Sequence, residues 1–491
     1  MSQPHILLIS VDQMRGDLMG CAGHPVVRTP HIDFLAKRGV RFSHAVSTQP
    51  VCIPARASIM TGKDGATLGL THYREGFEIP VRETLPQLLH DAGYQTQVVG
   101  KMHVYPERRH YGFENMLICE EGRMIGQAEG KKRGYDDYEL WLAEQGYAGQ
   151  AFGHGMANNE FNVTSWHLPD RLHPTEWVGS ETCKAIKRRD WTRPLFLWAS
   201  FTAPHPPLTP LMSELQLYER DEMPKPKKGD WTDRQPLYNQ RSMASYSGWM
   251  QTERQVDLAY RGFYAMITHV DRQINRILGT LREEGMLGNT WICFVSDHGD
   301  NMGDHGLWGK TNFFKGSCHI PFILTPPLGS KALPATPGRV VDTPVALQDI
   351  MPTFLEAAGI GVPEALDGKS LLPIVAERAE AVRDTITGEY GVAGTRTFMV
   401  TDTEYKYMWF EEDGMELLFD RHNDPDELRD VAAASEGRTK AYRSLLTAHV
   451  GKRQSDPALQ SGELVASQGP GQLSEAQIAR QASHQNPRGL H

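Results

Sequence analysis

Along the first 370 or so residues the apolar positions follow two alternating rhythms. Short, largely apolar runs read as buried strands: "HILLISVD" (5–12), "QTQVVGK" (95–101), "RPLFLWASF" (193–201), "TWICFVSD" (290–297) and "PFILTPP" (321–327). Between them, "HIDFLAKRG" (31–39), "ETLPQLLHDAG" (83–93) and the sustained stretch 253–285 place apolar residues at helical spacing. Strands alternating with helices predict an α/β fold with a mostly parallel sheet covered by helices on both faces.

From about residue 385 the rhythm changes. "TFMVTDTEYKYMWF" (397–410) and "MELLFDRHNDP" (415–425) read as antiparallel strands around a turn, followed by the helical "KAYRSLLTAHVGK" (440–452). The expected organisation is a large α/β domain over 1–375 and a small α+β domain with a short antiparallel sheet over 376–451. The polar stretch 452–491, rich in Gln, Ser, Gly and Pro, is expected to be disordered or to lie as an arm over a partner subunit in a homo-oligomer. There is no internal repeat.

Composition changes this picture little. A net charge of −9 argues against a nucleic-acid partner, which calls for a basic face, yet leaves room for a locally positive site that takes a small anion. No apolar run is long enough to span a membrane, so no membrane partner is expected. The opening "MSQPHILLISVDQ" lacks a basic leader, which predicts a cytoplasmic protein. The cysteines Cys21, Cys52, Cys119, Cys183, Cys293 and Cys318 show neither zinc-type spacing nor a disulfide framework.

The candidate chemistry lies where strands end. Three strand-like runs finish in Asp12, Lys101 and Asp297, and in open α/β sheets ligands bind beyond the carboxyl ends of the strands. Taken singly, Asp12 and Asp297 read better as helix N-caps. "STQPVCIPARASIMTGK" (47–63) is odder. Pro54 suits the first turn of a helix and Gly62 its stop. Cys52 then lies at the positive end of the helix, and Arg56 is a cation in the turn where the dipole disfavours one. A bound anion would reconcile the two, whereas the plain reading of Cys52 is a buried structural thiol.

Cys52-Ile53-Pro54-Ala55-Arg56 with Thr61-Gly62, the strand end Gly100-Lys101-Met102-His103, and "SDHGDNMGDH" (296–305) running to Gly309-Lys310 occur in one order with Asp12-Gln13. Together they resemble the type I, formylglycine-dependent sulfatases of the alkaline-phosphatase superfamily. The likeness runs over about residues 4–425. "SFTAPHPP" (200–207), "DTPVALQDIMPT" (342–353) and "LFDRHNDPDE" (418–427) match more weakly. The resemblance implies an alkaline-phosphatase-like fold, in which a large, mixed, mostly parallel sheet is sandwiched by helices, and a sulfuric ester hydrolase of arylsulfatase type.

It also implies roles. Cys52 is the precursor that a formylglycine-generating enzyme oxidises to an aldehyde. One hydroxyl of the hydrated aldehyde attacks sulfur to give a sulfate ester, and its neighbour loses a proton to expel sulfate. Asp12, Gln13, Asp297 and His298 hold a divalent metal, Ca²⁺ first, with Mn²⁺ or Mg²⁺ as alternatives. Arg56 neutralises the region, Lys101 and Lys310 clamp sulfate oxygens, His103 deprotonates the second hydroxyl and His205 protonates the leaving oxygen.

The sequence departs from the family in three places. Gln13 stands where a second aspartate is common, and Lys315 and His319 stand where Glu and Arg are usual, which reads as structural substitution. One rival reading is a phosphonate monoester or phosphodiester hydrolase of the same superfamily; such relatives tend to lack the Lys and His of G-K-x-H, present here as Lys101 and His103. Another is a non-catalytic binding protein whose Cys52 is never oxidised. Aryl sulfates, sulfated sugars and choline sulfate are the candidate substrates. Their selection is expected from 71–77, from the C-terminal region and from 104–180, whose Tyr and Trp residues either stack on a sugar or aryl ring or pack a loop.

Overall fold

The structure is a computed structural model that describes residues 3–122, 135–246, 252–327, 336–453 and 455–467. The central strand, His5–Asp12, explains the architecture. Its alternate side chains Leu7, Ile9 and Val11 enter one hydrophobic core and Ile6 and Leu8 the other, so both faces are covered. Leu8 is fully buried, and its truncation to Ala would cost about 2–5 kcal/mol.

Eight strands form the main sheet, in the order Asn115–Ile118, Gln95–Gly100, Leu195–Pro204, His5–Asp12, Thr290–Ser296, Phe322–Thr325, Val40–Phe42, Arg339–Val341. Every adjacent pair is parallel except the two made by Phe322–Thr325, which runs against its neighbours. Helices Pro30–Arg38, Pro174–Lys187 and Glu253–Glu283 bury their apolar stripes on one face. Cys52–Thr61, Leu85–Asp91 and Ile350–Ala357 cover the other. The expected large, mixed, mostly parallel sheet between helices is therefore present. The five strands read from apolar runs are all in it. The three that were not, Val40–Phe42, Asn115–Ile118 and Arg339–Val341, are short and lie toward its edges.

The small C-terminal sheet is an antiparallel meander, Ile386–Tyr390, Thr397–Thr401, Tyr405–Phe410, Glu416–Asp420. Its alternation is apolar on both sides. Phe398, Val400, Tyr407 and Trp409 meet Tyr442, Leu446 and Val450 of helix Glu436–Val450, while Met399, Met408, Phe410 and Phe419 pack on Val51, Phe313 and Phe314. Part of the polar C-terminal stretch is folded as well. Residues 459–464 form a hairpin, Ala458 is buried, and the Asp456 carboxylate accepts from Arg396 Nη2 at 2.7 Å. Disorder or an arm over a partner subunit was expected there because few apolar residues are available; the ion pair, together with Ala458, Leu459 and Leu464 packed against the sheet and helix Glu436–Val450, fastens residues 455–467 instead. Residues 454 and 468–491 lie outside the described residues. Among the described residues, no helix is long and apolar enough to cross a membrane.

Candidate functional site

The strands His5–Asp12 and Thr290–Ser296 are parallel neighbours, with Val11 opposite Ser296. Their carboxyl ends therefore deliver Asp12 and Asp297 side by side, and neither caps a helix. Gly100 closes the strand two places away at φ 109°, where a Cβ would lie 1.9 Å from Ser200 O, so only glycine lets the chain turn there and send Lys101 inward. The fourth contribution is helix Cys52–Thr61, stopped by Gly62 at φ 64° with its N–H on Ser58 O. Cys52 is its first residue, at the N-terminal end where the sequence placed it, and the helix begins two residues before Pro54.

The Cys52 thiol sits at a convergence. Sγ is 3.2 Å from His298 Nε2, 3.5 Å from Lys310 Nζ and 3.7 Å from Asp12 Oδ1, and it is buried. Burial and the Asp12 carboxylate push the thiol up, but Lys310, Lys101 and His298 outweigh them and leave it below its ordinary value. An inert structural cysteine has no such cationic surround.

Asp12, Cys52, Asp297 and His298 offer ligand atoms that all lie within 4.8 Å of one another. Their chemistry fits a divalent cation: carboxylate oxygens and an imidazole. His298 Nδ1 is 3.0 Å from Gly299 O, which places the hydrogen on Nδ1 and turns Nε2 into the cluster. Burial lowers the His298 pKa, but Asp297 and Cys52 raise it above its usual value overall, so metal binding would displace a proton. Gln13 joins them from the next position, its N–H on Asp297 Oδ1 at 3.2 Å. Its φ of 71° is unusual for a residue other than glycine and is held by the contacts around it.

Three cations balance these anions. Arg56 donates from Nε to Asp297 Oδ2 (2.9 Å) and from Nη1 to Lys101 O (2.6 Å) and Ser200 Oγ (2.9 Å), with Nη2 3.4 Å from Asp12 Oδ2. The anions that reconcile this arginine with its helix turn are thus the protein's own. Lys101 Nζ reaches Asp12 Oδ2 and Glu121 Oε2, each at 2.7 Å. Burial would raise the Asp12 carboxyl, but Lys101, His205, Lys310 and His298 hold it well below the usual carboxylate range.

Lys310 Nζ donates to Gln13 Oε1 (2.6 Å) and to His205 Nε2 (2.8 Å). His205 Nδ1 faces Pro206 O at 2.5 Å, so Nδ1 carries the hydrogen and Nε2 accepts from the ammonium. His103 stands at φ 51° two residues beyond Lys101, its N–H on the Glu120 carboxylate (2.9 Å) and its Nε2 3.5 Å from Tyr73 OH. The candidate metal ligands, Cys52, Arg56, Lys101, His205 and Lys310 thus form one connected cluster. The named contacts of His103 place it on the same loop, facing Tyr73.

Lys315 and His319 stand apart, with Asp426 (2.9 Å) and Ser43 O (2.9 Å) as their partners, in keeping with structural substitution. The sequence reading passed over Ser200, Glu120, Glu121, Tyr73 and Asp300. Asp300 lies inside the motif "SDHGDNMG", where only its partner across the sheet could have marked it.

Over residues 4–360 the chain matches the Sulfatase family, and over 303–453 it matches "N-sulphoglucosamine sulphohydrolase, C-terminal". The chain belongs to the sulfatase family. It is 36% identical over 440 residues to an arylsulfatase of Clostridium perfringens, spanning 88% of this chain and 91% of the relative. It is 30% identical to a choline-sulfatase of Rhizobium meliloti, spanning 94% and 90%. In three dimensions it resembles the phosphonate monoester hydrolase of Agrobacterium radiobacter, with a TM-score of 0.77, 24% identity, and coverage of 94% of this chain and 99% of that one. At that identity the likeness speaks for the alkaline-phosphatase-like fold.

Proposed function

We propose that this sulfatase hydrolyses sulfate monoesters through a formylglycine that a formylglycine-generating enzyme makes from Cys52. The observation that carries the reading is the position of Sγ, within 3.7 Å of Asp12, His298 and Lys310 at once. Asp12, Gln13, Asp297 and His298 would hold a divalent metal, Ca²⁺ or alternatively Mn²⁺ or Mg²⁺, which when bound supplies Lewis-acid polarisation beside residue 52. The aldehyde hydrate at residue 52 supplies the nucleophilic oxygen.

The chain's own residues do the rest. Arg56 offsets the charge of Asp12 and Asp297, so that an anionic ester can approach two buried carboxylates. Lys101 and Lys310 present ammonium groups to the sulfate oxygens in a dry site, where such contacts are strong because they need no reorganisation. Glu120 fixes the backbone at Met102 and His103, and His103 takes the proton of the second hydroxyl. Protonation of the leaving oxygen falls to His205 and Lys310 together. Because the ammonium donates to His205 Nε2 in the resting arrangement, the imidazole can draw the proton it delivers from Lys310.

The test is the order of kcat/KM. An aryl sulfate, a sulfated sugar or choline sulfate should be turned over faster than any phosphonate monoester or phosphodiester. The reverse order would move the assignment to the phosphonate hydrolases, and no turnover of either class would favour the non-catalytic reading.

A further inference from the structure

The side chain of Gln13 has two chemically different ends of nearly equal shape, and the surroundings of this one distinguish them from both sides. One end is met by Lys310 Nζ at 2.6 Å, a group with three donors and no acceptor, so that end is the carbonyl oxygen. The other end donates to Asp300 Oδ2, a carboxylate oxygen that only accepts, so it is the NH₂. Asp300 is fully buried and held rigidly, since its Oδ1 accepts the backbone N–H groups of Met302 (2.7 Å) and Gly309 (3.0 Å). Its carboxylate is thus engaged at both oxygens and lies outside the set of groups that converge on Cys52.

From this juxtaposition we infer that Asp300 is a positioning residue that locks the Gln13 amide with its carbonyl oxygen toward the metal site. The inference rests on the metal reading given above. Aspartate at position 13 would need no such device, because both its oxygens are ligands. Glutamine brings a hazard: rotated by half a turn, its NH₂ would face a cation and the Lys310 ammonium. Asp300 makes that rotamer unfavourable at its other end, where a carbonyl would face a carboxylate. Oε1 keeps a second lone pair after accepting from Lys310, and that lone pair is what a metal ion would use.

The test is a double-mutant cycle read by calorimetric titration of Ca²⁺ and Mn²⁺ into the full chain after chelation, with wild type, Asp300→Asn, Gln13→Asp and the double variant. Asp300→Asn keeps the oxygen that serves Met302 and Gly309, and removes the acceptor for Gln13 together with one negative charge. Loss of a ligand-orienting partner should weaken metal binding on the order of 10–100-fold. In the Gln13→Asp background the same change should cost only a few-fold, from the lost charge, because no amide remains to turn.

Equal losses in the two backgrounds would overturn the inference, leaving Asp300 as a distant charge. So would wild-type affinity in Asp300→Asn. No metal binding by the wild type would overturn both this inference and the metal reading beneath it. A structure of the metal-loaded wild type gives an answer independent of variant folding: Gln13 should reach the ion through one atom while the other stays on Asp300. Asp300 in the coordination sphere would refute the assignment.

Discussion

Arg56 and Asp297, 241 positions apart in the chain, are joined by a 2.9 Å hydrogen bond from Nε to Oδ2 in a fully buried setting. The same guanidinium reaches Asp12, so one cation ties helix Cys52–Thr61 to the ends of two neighbouring strands. Removing it leaves a buried carboxylate without its partner, which costs about 3–5 kcal/mol. Arg56→Met should lose that much in urea unfolding of metal-free protein and clearly less in the presence of Ca²⁺, because a divalent cation offsets the same charge. An equal loss with and without Ca²⁺ would mean that the two carboxylates do not face a cation site.

Lys310 and His205 should behave as one acid. With a nitrophenyl sulfate, whose phenolate leaves unaided, His205→Ala should cost little. With leaving groups of rising pKa it should cost progressively more, on the order of 10²–10⁴-fold for an alkoxide. Because the two groups share a proton, Lys310→Ala/His205→Ala should show the same leaving-group slope as the steeper single variant. Parallel lines for wild type and His205→Ala would make His205 a structural residue of the turn at Pro204–Pro207.

His319 gives a pH dependence with a definite sign. Burial, and secondarily the Lys315 ammonium, lower its pKa from 6.5 to about 3. In the unfolded chain it takes up a proton near pH 6.5, but in the folded protein only near pH 3. Stability from this group is therefore complete above about pH 6.5 and is lost as the pH falls from there toward 3. Between pH 7.5 and 5.5 the loss should be about 1.4 kcal/mol. His319→Gln should reduce the pH dependence of urea unfolding by that amount, and an unchanged dependence would contradict the burial argument.

The parts of the site that the sequence made legible are those fixed by chain direction. Asp12, Lys101 and Asp297 end apolar runs, and parallel pairing puts such ends in one crevice, so their meeting follows from the fold alone. Cys52 and Arg56 stood out because a thiol and a cation are odd at a helix N-terminus. The role of Arg56 was harder to see, since an arginine looking for an anion does not reveal that the anions are Asp12 and Asp297. Asp300, Ser200 and Glu121 were illegible for a related reason. Each acts on a partner from a remote stretch (Gln13, Arg56, Lys101), and each belongs to a residue type common in turns and strands. The short strands toward the sheet's edges were missed because three or four residues carry too little periodicity to read. The folded segment 455–467 was missed because three small or scattered apolar residues, Ala458, Leu459 and Leu464, and an ion pair between Asp456 and Arg396 hold it, and neither makes a periodic pattern.

The most direct measurement is hydrazide capture of the peptide containing Cys52, from protein made aerobically with a formylglycine-generating enzyme, set against sulfate ester turnover of the same preparations. The assigned role of Cys52 requires that turnover rise in proportion to the captured aldehyde and that Cys52→Ala fold but be inactive. Full turnover by protein whose Cys52 remains a thiol, or by Cys52→Ala, would contradict it.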